Sequence, residues 1–100
     1  MQSRRANHQV ECLKRRLLAR EAEIQKELKA TKDLKIRPFL RTLAALMRLD
    51  INHIGNYADR SIPDSINEML QSDCRRAEVA LADVRKIRQL QNRIAKRAGK

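Results

Sequence analysis

The chain has 100 residues and a formal net charge of +11 at pH 7, and 42% of its residues are hydrophobic. This length allows one domain, and a composition dominated by helix-favouring residues, with two Gly and two Pro, disfavours a sheet. One Phe, one Tyr and no Trp also disfavour recognition of single strands by base stacking.

The charge is distributed unevenly along the chain. Residues 1–37 carry a net +6, residues 38–74 a net −2 and residues 75–100 a net +7. A near-neutral centre therefore lies between two basic arms. Such an excess of cations indicates an anionic partner, of which nucleic acid is the commonest.

Residues 1–7 are polar and basic, and we predict a flexible N-terminal segment there, followed by one helical domain over 8–98. The first helix is predicted over 8–36, because apolar residues recur along it at helical spacing. These apolar residues are Val10, Leu13, Leu17, Ile24 and Leu28. Arg20 and Glu27 occupy alternate positions of the seam and interrupt a regular coiled coil, so the stripe must pack on another element.

The second helix is predicted over 38–57, since Pro38 suits a first helical turn and disfavours helix in the residue before it. This segment is the richest in large apolar residues, and we predict that it forms the centre of the core. Its stripe consists of Phe39, Leu40, Leu43, Leu46, Met47, Ile51 and Ile54. The Gly55-Asn56 pair predicts a stop or a kink.

The third helix is predicted over 63–98, with Ser61 as a cap, Pro63 in the first turn and Asp64 near the positive end of the dipole. Such a helix is about 50 Å long, more than a domain of this size needs. Its end is therefore expected to project or to pack on a second chain.

The last helix carries the most pronounced basic surface. At 100° per residue, its cations cluster opposite Val84, and this face has few acids to balance it. The predicted nucleic-acid contacts are Arg75, Lys86, Arg93, Lys96 and Arg97, with Lys14, Arg15 and Arg16 as a second cluster. The alternative interpretation of both sets is an ordinary solvated helix face.

The apolar stripes of the two long helices exceed what one short helix can cover, which predicts a protein partner or a homo-oligomer. The predicted interface residues are Val10, Leu13, Leu17, Ile24, Leu28, Val84, Ile87 and Ile94. In this alternative function the protein is a structural subunit or adaptor, and its charge serves solubility or an acidic partner.

No catalytic or metal-binding motif is recognisable in the sequence. Asp50, His53 and Tyr57 share one side of a helix, but no nucleophile or phosphate-binding loop accompanies them, so we predict no enzyme, cofactor, metal or small-molecule substrate. Cys12 and Cys74 lack ligand spacing, and no disulfide is expected. Without a membrane span or a secretory signal, the chain is expected to be intracellular.

Two segments resemble stretches of small plasmid mobilisation accessory proteins, namely LKRRLLAREAEIQKEL (13–28) and RLDINHIGNYAD (48–59). Those proteins are basic and helical and help a relaxase at a transfer origin, so the resemblance implies a nucleic-acid partner. They often begin with a ribbon-helix-helix strand, which this sequence lacks. The pattern also fits nucleoid-associated oligomerising proteins and small ribonucleoprotein subunits, and no family is assigned.

The sequence therefore predicts an all-α protein in which two long helices flank a shorter apolar helix, as a three-helix bundle or an extended hairpin. The predicted function is non-catalytic contact with a nucleic-acid phosphate backbone, within an oligomer or a larger complex.

Overall fold

A computed structural model describes residues 2–57 and 61–98, with side chains from residue 8 onward. These residues form three helices, α1 (Gln2–Ala30), α2 (Ile36–Gly55) and α3 (Asp64–Ala98), and no strands. The predicted all-α architecture is confirmed. None of the described helices is long and apolar enough to cross a membrane.

The bounds of α1 differ from the prediction of 8–36. The helix begins at Gln2, inside the segment predicted to be flexible, and ends at Ala30. The side chain of Arg37 explains the early end. The Arg37 guanidinium donates hydrogen bonds to the carbonyl oxygens of Leu28 and Thr31, which caps the last turn of α1.

Asp33 then builds the turn that starts α2. Its carboxylate accepts a hydrogen bond from the backbone N–H of Lys35 at 2.8 Å, and its carbonyl accepts from Ile36 and Arg37. α2 therefore begins at Ile36, two residues before the predicted start, and Pro38 lies within its first turn.

The three helices run up, down and up. Arg48 near the end of α2 pairs with Glu21 in the second half of α1, so α2 is antiparallel to α1. Along α3 the partners of α1 rise in the same order, from Arg16 with Glu78 to Glu27 with Arg88. α1 and α3 are therefore parallel neighbours, and α2 packs against both.

The core draws on all three helices rather than on α2 alone. Each contributes one buried stripe, and the largest fully buried side chains are Leu17, Ile24, Leu40, Met47, Ile54, Leu70 and Leu81. Small residues Cys74 and Ala77 are also fully buried, which lets α3 approach its neighbours closely. Phe39 is a correction to the predicted core, because it lies at the edge of the α2 stripe and remains 51% exposed.

The described residues extend over 65 × 19 × 19 Å. Past Val84, α3 has no buried residue, but it stays beside the other helices as far as Gln91, which is hydrogen-bonded to Asp33. The C-terminal part of α3 therefore projects beyond the apolar core, as its predicted length requires.

Candidate nucleic-acid interface

The five predicted contacts on α3 form one exposed surface, which we call the basic stripe. It consists of Arg75, Lys86, Arg93, Lys96 and Arg97. All five are exposed and lie opposite Val84, which is buried in the core. Within the described part of the chain, none of them forms an ion pair. The stripe therefore presents its charges to solvent without an ion-pair partner among the described residues.

Three acids are used between the helices, whereas Asp83 of α3 stays exposed near Arg75 and Arg76. Glu23, Glu27 and Glu78 bind arginines across the contact between α1 and α3, in what we call the α1/α3 ladder. Its pairs are Arg16–Glu78 at 3.0 Å, Arg20–Glu78 at 3.3 Å, Arg85–Glu23 at 3.2 Å, Arg85–Glu27 at 3.3 Å and Arg88–Glu27 at 2.7 Å. The arginines at the contact between α1 and α3 thus have carboxylate partners, whereas the cations of the basic stripe face solvent.

Glu27 is the most buried member of this ladder, and its side chain is 6% exposed. It is one of the two polar residues that interrupt the apolar seam of α1. Arg85 and Arg88 of α3 donate a hydrogen bond to each of its two carboxylate oxygens. A buried carboxylate is tolerated only with such partners. The seven-residue spacing of Arg20 and Glu27 on α1, and of Glu78 and Arg85 on α3, was a signal in the sequence for this contact.

The second predicted cluster does not form one surface. Arg16 is half-buried and is hydrogen-bonded to both Gln71 and Glu78, so its charge is already used within the fold. Glu78 has its pKa lowered chiefly by the hydrogen bond from Arg16. Lys14 is half-buried, and Arg15 is exposed on another side of α1. Arg16 thus has a structural role between α1 and α3, and its contact with nucleic acid stays a prediction.

Six of the eight predicted interface residues are buried within the chain itself. They are Val10, Leu13, Leu17, Ile24, Leu28 and Val84, each at most 9% exposed. The fold of a single chain already covers them, so they are corrected from interface to core residues. Ile87 and Ile94 remain available, at 41% and 66% exposed.

Sequence reasoning missed Arg76 and Lys35 as part of the basic surface. Both are exposed, and together with Arg75 they line an open groove between the start of α2 and the outer side of α3. Arg76 was recognisable as the immediate neighbour of Arg75. Lys35 was not, because only the packing of α2 against α3 brings it there.

The three polar residues noted on one helical side do not form one group, because Asp50 is buried whereas His53 and Tyr57, which lies past the end of α2, contact each other. The rings of His53 and Tyr57 stack with centroids 5.7 Å apart. Asp50 is 5% exposed and turns towards Asp73 of α3, which is 9% exposed. The pKa of Asp50 is raised to about 7. Burial is the largest cause, followed by the hydrogen bond with Asp73 and the negative charge of Asp73. This pair lies inside the bundle, where a substrate has little access.

The described residues contain no cluster of three or more His, Cys, Asp or Glu side chains that could hold a metal ion. Cys12 is exposed, with its Sγ 3.6 Å from Nε2 of His8, whereas Cys74 is buried. Burial is the main cause that raises the pKa of the Cys74 thiol.

The fold and this surface define a class: an all-α three-helix protein with an exposed basic outer face. No protein-family model, curated protein or solved structure matches the chain. The resemblance to plasmid mobilisation accessory proteins thus stays a prediction.

Proposed function

We propose that this protein is a non-catalytic nucleic-acid-binding protein that contacts the phosphate backbone through the basic stripe of α3. The observation that supports the proposal is the sorting of charge. Arginines between the helices have carboxylate partners, whereas the five cations of the stripe are exposed and have no ion-pair partner among the described residues.

The geometry of the stripe suits a backbone contact. Arg75 and Arg97 are separated by 22 helical positions, or about 33 Å along α3, a distance close to one turn of a duplex. Because the core holds the first half of this helix, the cations are presented from a rigid rod. Binding of this kind positions the protein on phosphates and carries little base specificity.

Salt dependence tests the proposal. Five phosphate contacts predict a slope of about −4 to −5 in a plot of log affinity against log salt concentration for a duplex. The measurement is fluorescence anisotropy with a labelled DNA duplex and, in parallel, an RNA hairpin of matched length. No binding to either polymer at low salt would overturn the proposal.

A matched pair of variants separates the stripe from net charge alone. The double variant Arg93→Glu/Lys96→Glu should weaken binding on all sequences and reduce the salt slope by about 2. Its control, Lys26→Glu/Lys29→Glu on α1, changes the net charge equally at two lysines, half-buried Lys26 and exposed Lys29, that form no ion pair with any described residue. Equal losses in the two variants would show that the stripe is only a solvated face.

A further inference from the structure

Beside the basic stripe lies an apolar depression, which we call the α3 groove. It has a volume of about 640 Å³ and lies between the first turn of α2 and the outer side of α3. Its apolar lining includes Phe39, Val79 and Ile87, which are 51%, 62% and 41% exposed. Side chains of this size in one concave patch are typical of interaction sites rather than of scattered surface residues.

The apolar surface continues along α3 beyond the groove. Leu90 and Ile94 are 57% and 66% exposed, and with Ile87 they follow a spacing of three and four residues. That spacing places all three on one side of the helix. From Val79 to Ile94 the strip is about 22 Å long, which matches four turns of a second helix. The shape therefore fits a helix lying along α3.

Charge identifies the kind of helix that fits. Lys35, Arg75 and Arg76 line the groove, and Lys86 and Arg93 lie around Leu90 further along. Asp83 is the single acid in the lining of the groove. Acidic residues beside the apolar stripe of a partner helix would therefore meet cations along its whole length.

The same charges disfavour a second copy of this chain. In an antiparallel pairing of two α3 helices centred between Gln89 and Leu90, Lys86 of each chain would face Arg93 of the other. These like charges would add to the repulsion between two chains that each carry +11. A flat lipid surface is a poorer fit too, because the groove is concave and lies between two helices.

We propose that the α3 groove binds an amphipathic helix of a second protein, with Asp and Glu flanking its apolar stripe. This inference is independent of nucleic-acid binding. It gives a specific form to the subunit or adaptor alternative. Since Arg75, Lys86 and Arg93 would serve both partners, the helix and a nucleic acid would exclude each other.

The test uses a fluorescein-labelled probe peptide of about 18 residues, with Leu at three- and four-residue spacing and Glu on the flanks. Its anisotropy is titrated with the full chain. Two further peptides serve as comparisons, one with Lys in place of Glu and one with the same residues in scrambled order. We expect binding of the acidic amphipathic peptide, and at least tenfold weaker binding of the other two.

Variants of the chain locate the binding. Val79→Ser/Ile87→Ser should weaken binding of the probe at least tenfold, whereas Leu18→Ser/Leu49→Ser should leave it unchanged. The control residues are 45% and 66% exposed and lie outside the groove, so both variants remove comparable apolar surface. Helical circular dichroism checks that each variant is folded.

Three outcomes would overturn the proposal. The scrambled peptide could bind as tightly as the amphipathic one, which would reduce the effect to charge. The two double variants could lose binding equally, which would remove the groove as the site. Sedimentation could show a dimer of the wild-type chain that Val79→Ser/Ile87→Ser dissociates, which would make a second copy the occupant.

Discussion

The carboxyl pair between α2 and α3 makes the stability of the fold depend on pH in an unusual direction. In the folded chain Asp50 has a pKa of about 7, against 3.8 for an ordinary aspartate. Between these two values the folded state keeps a proton that the unfolded state releases. Stability should therefore be highest at acidic pH, fall as the pH rises from about 4 to about 7, and level off above.

The substitution Asp50→Asn removes this dependence. An amide is close in shape to the protonated carboxyl and can still donate a hydrogen bond to Asp73, but it cannot ionise. Each tenfold change in proton affinity equals about 1.4 kcal/mol. The raised pKa of Asp50 therefore means that its ionisation lowers the free energy of unfolding by at most about 4 kcal/mol. Because relaxation and water penetration reduce the cost of a buried charge, we expect about half of this ceiling, a gain of about 2 kcal/mol for the variant at pH 8.

The assay is urea unfolding followed by helical circular dichroism at several pH values between 4 and 8. The variant should match the wild type near pH 4 and become progressively more stable above it. Asp33→Asn gives the opposite sign, because the hydrogen bonds from Lys35 and Gln91 lower the pKa of Asp33. That variant should be less stable than the wild type in this pH range, and the difference should begin to shrink as the pH falls towards 4. If Asp50→Asn destabilises the chain equally at every pH, ionisation of Asp50 does not lower the stability of the wild-type fold.

Three further outcomes follow from the packing of the helices. Leu17→Ala should lower the free energy of unfolding by about 3 kcal/mol in a urea titration, whereas Leu49→Ala should change it by less than about 0.5, since Leu17 is fully buried and Leu49 is 66% exposed. Glu27→Ala should cost about 2 kcal/mol in the same titration, because it leaves Arg88 without a carboxylate partner and removes one of the two partners of Arg85; a neutral effect would show that the ladder adds nothing. Cys12 should react with a thiol reagent at once and Cys74 only on unfolding, and simultaneous labelling of both in the native protein would contradict the assigned burial.

The helical periodicity of the sequence was sufficient to predict three helices and their apolar stripes, but not which stripes the chain itself buries. Where the prediction erred, the cause lies in contacts between distant residues. The end of α1 depends on the guanidinium of Arg37 reaching back to Leu28 and Thr31, and no local propensity encodes that contact. Phe39 belongs to the α2 stripe by spacing, and only the position of α3 shows that it lies at the edge of the core.

How well each candidate site could be predicted also depended on contacts between residues that are distant in the sequence. The basic stripe needs only the 100° rotation per residue of one helix, so the sequence was enough to place it. The partner surface was not predictable, because an apolar stripe looks the same whether its own chain or another chain covers it. Arg16 illustrates the same limit, since its role depends on Gln71 and Glu78 more than fifty residues away.

The α1/α3 ladder also fixes the alignment of the two long helices. Their apolar stripes repeat at intervals that a slide of one heptad would partly preserve, so burial alone discriminates weakly between alignments. The charges do discriminate. A slide in one direction would bring Arg16 and Arg20 against Arg85, and a slide in the other would bring Glu23 against Glu78. Each misalignment places like charges in a partly buried seam, so the alternating signs of the ladder select one register during folding.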